Sequence, residues 1–465
     1  MMRISMLVFL FIGDFFIQAG EPFKPYEISY IQGRLKAPTS YKAYIQSRVK
    51  KGFKDRIRRE IYLSGTASGF SANSKSGKMI LTGKSMGQLF NRLAIENKGN
   101  SVDFVLKSGE YILDQPLKPR QNQVLRGEGR VTLIPTLTLP AAIVLDGVDS
   151  VVISNFTIVG GGIGKCKTNG IMSVNDSTRV NISKVIIREV GACGILCKGS
   201  KSKYVLIEDC DIQNTGRAGI AMFDGVSNAL ITKNAVERTT THGIIFANGG
   251  SFSEVSENII KDTGLLPGGD FAHGVAFDSH GNLNTGEKNL IIKNKILNAR
   301  TGGVEIADGQ NHMYIIENYI EGSGRANQKR EDQYGIYFGG ALSQGYHCLI
   351  KGNTIKNSYW NGIRLAAPNV ERPNKKSPLP KDKYGPTMHV DIIDNIISGS
   401  MRYGIELNWC RDVYIKGNRI ETSKLADIGL IGNREKNIDM PCSKVLFKGN
   451  VLKSQTKLVK DLFEK

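Results

Sequence analysis

Residues 231–236 read Ile-Thr-Lys-Asn-Ala-Val, residues 255–260 read Val-Ser-Glu-Asn-Ile-Ile, and residues 291–296 read Ile-Ile-Lys-Asn-Lys-Ile. In each stretch an asparagine follows an apolar residue by three positions and precedes another by two. The unit recurs with Asn318, Asn353, Asn395, Asn418 and Asn450. Short runs of Val and Ile between Gly, Asn and Asp predict strands and turns. A unit this short buries its apolar face only by stacking on its neighbours, so the repeat predicts a solenoid of strands.

A glycine and an apolar residue follow each of the first seven asparagines after a further turn, and Asn450 belongs to a final half unit. These glycines are Gly243, Gly274, Gly303, Gly335, Gly362, Gly404 and Gly429. Because the asparagines share one place in the unit, we expect Asn234 to Asn450 to form a single column. Amides stacked at one turn can bond to each other along the solenoid axis, as they do in stacked strands.

The start of the solenoid carries its own signal. Ser85 and Gln88 have the spacing of a capping box ahead of an apolar run that includes Leu89 and Phe90, which predicts a helix covering the open end of the core. This passage and the repeats together resemble the pectate-lyase-like superfamily, from about Lys84 to the C-terminus. The resemblance implies an all-β fold, a right-handed parallel β-helix with an N-terminal capping helix. It also implies a relationship to polysaccharide lyases, epimerases and glycosidases, although fold alone does not fix activity.

The chain divides into three predicted parts. Residues 1–20 resemble a secretory signal, with Arg3 ahead of the apolar run Ile4–Ile17 and a small residue at Ala19. Residues 21–83 form a basic N-terminal extension, and residues 84–465 form the β-helix domain. No later stretch is apolar enough to span a bilayer, so we expect a secreted or periplasmic protein without integral membrane association.

The charge of the chain indicates an acidic partner. Lys and Arg number 62 against 43 Asp and Glu, which gives a formal net charge of +19. Such a charge favours nucleic acid, an anionic membrane or an anionic polysaccharide. No nucleic-acid-reading module is present, so an anionic polysaccharide is the expected partner and nucleic acid is not.

Seven cysteines lack the paired spacing of a metal site. Several fall at inward positions of the repeat, where a thiol behaves as a small apolar residue. One disulfide among the first four, Cys166, Cys193, Cys197 and Cys210, remains an alternative.

The strand after each glycine indicates where a binding surface lies. Its first and third residues are apolar, so the second and fourth point outward. The outward and flanking positions carry titratable and aromatic residues: His242, His273, Asp278, Glu305, Tyr334, Tyr337, Arg364 and Glu406. Neighbouring coils lie ~4.8 Å apart, so these side chains would form one polar surface. Long insertions beside it, including the one after Arg364, would wall an open cleft.

These residues suit β-elimination on a uronic acid, which needs a base, a group that neutralises the carboxylate and an acid for the leaving oxygen. His273 or His242 would be the base, and Arg364 would neutralise the substrate carboxylate. Tyr337 or Tyr334 would be the acid. Further substrate contacts are expected at His280, Asp308, Tyr334, Lys375, Lys376, Trp409 and Glu406.

The string His273-Gly-Val-Ala-Phe-Asp278-Ser279-His280-Gly281 is similar to the Tyr-Gly-x-Asp-Pro-His region of mannuronan C5-epimerases and alginate-type lyases. It departs from that region in three ways. His273 stands for the tyrosine, Ser279 stands for the proline, and Asp278 and His280 lie two residues further from the glycine. The activity is therefore not carried over from this string.

Three alternatives to a lyase stay open. A glycoside hydrolase would use Asp278, Glu305 and Asp308, whose places on adjacent coils are compatible with the ~5–9.5 Å carboxylate separations of such enzymes. A uronate C5-epimerase would share the first step of elimination. A non-catalytic polysaccharide-binding or adhesin solenoid would use an aromatic platform that includes Tyr337 and Trp409. The sequence requires no cofactor, although a carboxylate-rich face can hold Ca²⁺.

Overall fold

The structure is a computed structural model, and it describes residues 40–51, 58–66, 69–264, 271–278, 286–308, 310–324, 333–339, 346–366, 387–435, 438–440 and 442–464. In these ranges the chain forms two helices, α1 (Lys42–Lys51) and α2 (Met86–Glu96). The strands form two long, mainly parallel sheets of 25 and 13 strands. Neither described helix has the length and hydrophobicity that crossing a bilayer requires.

The strands of the first sheet are Arg59–Thr66, Gly69–Ser74, Met79–Gly83, Val102–Leu113, Gln123–Pro135, Asp149–Val159, Thr178–Val190, Lys203–Glu208, Asp211–Thr215, Ser227–Thr232, Ala235–Thr239, Glu254–Ser256, Ile259–Lys261, Leu290–Ile292, Lys295–Leu297, Tyr314–Ile316, Tyr319–Glu321, Tyr346–Lys351, Thr354–Lys356, Thr387–Ile393, Ile396–Ser398, Cys410–Lys416, Arg419–Glu421, Ser443–Lys448 and Val451–Leu452. The strands of the second sheet are Ala141–Asp146, Asn169–Val174, Ile195–Lys198, Ile220–Phe223, Ile244–Ala247, His273–Asp278, Gly302–Ala307, Tyr334–Gly339, Asn361–Leu365, Tyr403–Asn408, Ala426–Glu435, Ile438–Met440 and Leu458–Glu464.

One coil shows the plan of the solenoid. Ser227–Thr232 and Ala235–Thr239 lie in the first sheet on either side of a corner at Asn234, and Ile244–Ala247 crosses to the second sheet. Each strand pairs in parallel with its equivalent one coil further on, for example Ile244 opposite Val275. The inward Val and Ile side chains of both sheets form one continuous core. The predicted all-β parallel β-helix is confirmed.

The asparagine column is confirmed by its hydrogen bonds. Each side-chain amide donates to the side-chain oxygen of the next asparagine at 2.9–3.0 Å, from Asn234 through to Asn450. The same oxygen also accepts the backbone N–H of the preceding asparagine, as Asn318 Oδ1 does from Asn294 at 3.0 Å. Asn234 to Asn418 are at most 1% exposed, so this ladder satisfies polar groups that burial would otherwise leave unpaired.

The glycine column is explained by close packing at the same edge of each coil. Gly219 lies one coil before Gly243 in the same column. A Cβ on Gly219 would lie 2.3 Å from Val236 Cγ1 and 2.8 Å from the Gly243 carbonyl oxygen. The last coil departs from the expected register. Asp427 occupies the position opposite Gly404, whereas Gly429 lies opposite Glu406. Asp427 suits this place because its carboxylate accepts the backbone N–H of Ser454.

Gly219→Ala is therefore expected to destabilise the protein by about 1–3 kcal/mol, because the added methyl overpacks a fixed backbone contact. Gly65→Ala is the matched control, since a Cβ there meets nothing within 4 Å. Urea unfolding followed by circular dichroism measures both. Equal urea midpoints for the two variants would contradict this account of the glycine column.

The N-terminal end is capped by α2. The Ser85 side chain accepts the Gln88 backbone N–H at 3.2 Å, as the capping box predicts. Phe90 packs edge-on against Phe104 at a centroid distance of 5.0 Å. Arg59–Thr66 pairs in parallel with Val102–Leu113, so the first sheet extends beyond the domain boundary expected at Lys84.

Part of the basic extension is folded onto the solenoid. Ile45 and Val49 of α1 are buried against Leu206 and Leu230 on the outside of the first sheet. Lys42 pairs with Glu257 at 3.0 Å. The predicted signal, residues 1–20, lies outside the described residues. None of the seven cysteines, all of which lie in the described ranges, is in a disulfide, and all but Cys166 and Cys442 are buried.

Candidate active site

The site lies on the outer face of the second sheet, in two neighbouring columns of side chains. Strand register places Glu305 opposite Tyr337, Tyr337 opposite Arg364, and Arg364 opposite Glu406. The other column precedes the glycines and holds, in coil order, His242, His273, Gly302, Tyr334, Asn361 and Tyr403. Parallel stacking of coils therefore brings together residues that are far apart in sequence.

His273 and Glu305 form a close charged contact within this cluster. His273 Nδ1 lies 2.8 Å from Glu305 Oε2, and the two side chains are 0% and 4% exposed. A carboxylate beside Nδ1 favours the tautomer that carries its proton there. Nε2 then presents its lone pair on the other side of the ring.

Tyr334 faces that lone pair. Its hydroxyl lies 3.4 Å from His273 Nε2, and its ring stacks on Tyr337 at a centroid distance of 4.3 Å. Tyr334 is fully buried and Tyr337 is half-buried. Glu305, His273 and Tyr334 thus form a row along which a proton can move.

Arg364 belongs to a second buried network. Its Nε lies 2.9 Å from Glu406 Oε1, while Asn361 Nδ2 donates to Glu406 Oε2 at 2.8 Å. Asn361 Oδ1 accepts the Tyr403 backbone N–H at 3.2 Å. The carboxylate balances the guanidinium charge and fixes its direction, which keeps a buried ion pair tolerable.

Three groups of the cluster can also hold a metal ion. One ligand atom each from His242, His273 and Glu305 lie within 4.8 Å of one another, and all three residues are buried. Two imidazoles and a carboxylate suit zinc and related transition metals. Ca²⁺ prefers oxygen ligands alone, so this set does not offer the calcium site that the sequence allows.

The remaining expected residues are more scattered. Asp278 is 8% exposed at the end of its strand. Asp308 and Trp409 follow the ends of their own strands, away from the edge that holds His273. His280, Lys375 and Lys376 lie outside the described residues, as do most of the expected cleft walls.

The expected open cleft differs from the arrangement found. His273, Tyr334 and Glu406 are 0% exposed, and His242 and Arg364 are 8% exposed. The strands that carry these residues are buried on both faces, as is usual for parallel sheets.

A second column of histidines was missed from the sequence. His312, His347 and His389 stack along the first sheet with centroid distances of 5.1 Å and 4.9 Å. Burial lowers the pKa of His389, and nearby Asp412 opposes this shift. Each histidine directly precedes a fully buried residue, Met313, Cys348 or Val390, and that shared place in the coil is the signal that could have revealed the column.

Comparison with known proteins agrees with this architecture. The family model described as "Right handed beta helix region" matches residues 141–320. The A-module of a mannuronan C-5 epimerase from Azotobacter vinelandii aligns with a TM-score of 0.54 at 14% identity, over 82% of this chain and 95% of that one. No curated protein matches the chain.

Two glycoside hydrolases have the same fold. The catalytic unit of a GH87 α-1,3-glucanase from Streptomyces thermodiastaticus aligns with a TM-score of 0.60 at 14% identity, over 79% of this chain and 66% of that one. A family 28 exopolygalacturonase from Yersinia enterocolitica aligns with a TM-score of 0.51 at 10% identity, over 83% of each chain. Identities this low bear on the fold alone. The chain therefore has the right-handed parallel β-helix fold, and the family model matches its central part.

Proposed function

We propose that this protein is a carbohydrate-active enzyme that cleaves an anionic, uronic-acid-containing polysaccharide by β-elimination at the cluster around His273. The observation that carries the proposal is the row of Glu305, His273 and Tyr334. It is a buried carboxylate, imidazole and phenol, with 2.8 Å between Glu305 Oε2 and His273 Nδ1 and 3.4 Å between His273 Nε2 and the Tyr334 hydroxyl. Such a row is built for proton transfer near neutral pH.

Elimination starts with removal of the proton beside the uronate carboxylate. In this proposal Tyr334 takes that proton while passing its own to His273 Nε2. Glu305 stabilises the imidazolium that results. The freed electron pair forms the carbon–carbon double bond as the bond to the glycosidic oxygen breaks, and Tyr337 protonates the leaving oxygen. His273 therefore acts as the base through Tyr334.

Arg364 is the residue proposed to neutralise the substrate carboxylate. Its Nε is committed to Glu406, which holds the guanidinium plane in a fixed direction. A carboxylate that is partly neutralised makes the adjacent proton more acidic, and this stabilisation is greatest where water is excluded. Because the cluster is buried, the proposal also requires that substrate binding uncover Tyr334.

The substrate class follows from charge and from two of the structural neighbours. The net charge of +19 favours an acidic polymer. The neighbours include a mannuronan epimerase and an exopolygalacturonase, whose names refer to polymers of uronic acids. A polysaccharide substrate of this class fits secretion or a periplasmic location.

The proposal is tested by a panel of acidic polysaccharides, with a neutral glucan as the negative substrate. Ultraviolet absorbance reports the unsaturated product, and a reducing-end assay reports new chain ends. Elimination produces both signals on an acidic polymer. New ends without absorbance would replace the proposal with a glycoside hydrolase using Asp278, Glu305 or Asp308. If neither signal appears, the remaining candidates are a uronate C5-epimerase and a non-catalytic binding solenoid.

Arg364→Ala is expected to raise KM and to lower kcat, each by about tenfold, because the charge meets the carboxylate in the ground state and in the transition state. Glu406→Gln is introduced in the same chain, so that no carboxylate is left buried without its partner. Arg419→Ala is the control, because Arg419 is an exposed arginine. Steady-state kinetics measure both effects, and an unchanged KM would remove Arg364 from substrate binding.

A further inference from the structure

Two cysteines face each other on neighbouring coils at the C-terminal end. Cys410–Lys416 pairs in parallel with Ser443–Lys448, and Arg411 lies opposite Ser443. Cys442 directly precedes Ser443, so the register places it opposite Cys410. Neighbouring strands lie ~4.8 Å apart, which is within the ~4.4–6.8 Å range of Cα separations that disulfides span.

The two thiols also converge on one stretch of backbone. Cys410 Sγ lies 3.4 Å from the Asn408 carbonyl oxygen, and Cys442 Sγ lies 3.3 Å from the carbonyl oxygen of Leu407. Burial, and after it the neighbouring Cys442 side chain, raises the pKa of the Cys410 thiol. Both side chains therefore point to the same place between the coils.

Other buried cysteines have different neighbours. Cys197 lies opposite Ser173 and Met222, and Cys348 lies opposite Val390. No cysteine lies opposite Cys197 on either neighbouring strand. Strand register therefore does not favour a disulfide from Cys197 to another of the first four cysteines.

We propose that Cys410 and Cys442 form a disulfide that staples the last coils of the solenoid once the chain is in an oxidising compartment. Two thiols give up two protons and two electrons, and one S–S bond forms. The electrons pass to dioxygen or to a small-molecule disulfide such as oxidised glutathione. This inference does not rest on the proposed catalytic activity.

The exposure of the two thiols sets the order of events. Cys442 is half-buried, whereas Cys410 is fully buried, and burial raises the pKa of the Cys410 thiol well above its usual value. Cys442 therefore forms the mixed disulfide with the oxidant, and Cys410 then displaces the small thiol.

The bond would stabilise a part of the solenoid that has little else to hold it. In the last described coil Leu446, Phe447 and Val451 are 54%, 40% and 50% exposed. Ser443–Lys448 and Val451–Leu452 pair with only one neighbouring coil among the described strands, so this end is the one expected to fray. A covalent link from 410 to 442 restrains that opening.

The test uses the full chain, first with excess oxidised glutathione and then after reduction with dithiothreitol. Digestion without reduction, followed by mass spectrometry, should recover a peptide pair joined through Cys410 and Cys442. Amide hydrogen exchange over 443–452 should be about tenfold or more slower in the oxidised form. Cys442→Ser should lose both effects, whereas Cys166→Ser should keep both.

Three results would overturn the inference. The first is that both thiols can still be alkylated after treatment with excess oxidant and unfolding. The second is that Cys442→Ser, with an unchanged circular dichroism spectrum, still shows slower exchange over 443–452 on oxidation. The third is recovery of Cys410 joined to a different cysteine.

Discussion

Replacing His273 by alanine is expected to lower kcat on an acidic polysaccharide by about 10²–10⁴-fold with little change in substrate binding. The loss follows from the position of the imidazole between Glu305 and Tyr334. Without it the phenol has no group to receive its proton in the transition state. Initial rates over a range of substrate concentrations separate kcat from KM.

Two further variants separate chemistry from folding. His273→Gln keeps an amide that can donate to Glu305 but cannot accept and return a proton, so it should be as inactive as alanine while unfolding closer to the wild type. His347→Ala removes a histidine from the other column and should keep its activity. Full activity in His273→Gln would show that His273 is not the base.

Asn294→Ala is expected to cause the largest loss of stability, about 5 kcal/mol. The Asn294 amide donates to the Val255 carbonyl at 2.8 Å and to Asn318 Oδ1 at 3.0 Å. Its oxygen accepts both the backbone N–H and the side chain of Asn258, at 3.1 Å and 2.9 Å. Alanine would leave these buried partners unpaired, at ~1–3 kcal/mol for each group.

The urea midpoint of the first unfolding transition measures this loss. Asn100→Ala is the matched control, because Asn100 is an exposed asparagine in the turn after α2. Repeat proteins unfold in segments, so loss of signal from the coils around Asn294 should come first. A midpoint equal to that of the control would mean that the asparagine column does not hold the coils together.

The fold could be predicted because its rules are local and repeated. Each coil from Asn234 to Asn395 supplies one asparagine, one glycine and alternating apolar residues, so the repeats support one another. The start of the first sheet was missed because Gly69–Ser74 and Met79–Gly83 form an antiparallel hairpin that carries no repeat unit. The last coil was misaligned because Asp427 replaces glycine and is held by Ser454.

The site was harder to predict for a physical reason. Sequence places His273 and Glu305 in the correct columns, since strand periodicity decides which side chains point outward. It does not show that the two side chains bond to each other, or that Glu406 pairs with Arg364, because those contacts depend on rotamers chosen in three dimensions. Burial of the cluster was also unexpected, since an outward position on one strand says nothing about what packs over it.

Elimination on an acidic polysaccharide is distinguished from hydrolysis by the mass of the products made in water enriched in heavy oxygen. Elimination breaks the chain without adding water. We therefore predict unsaturated oligosaccharides that carry no heavy oxygen, formed by the wild type and not by His273→Gln. Saturated products with one heavy oxygen for each bond cleaved, at the new reducing end, would contradict it, because they would show that the enzyme hydrolyses the chain.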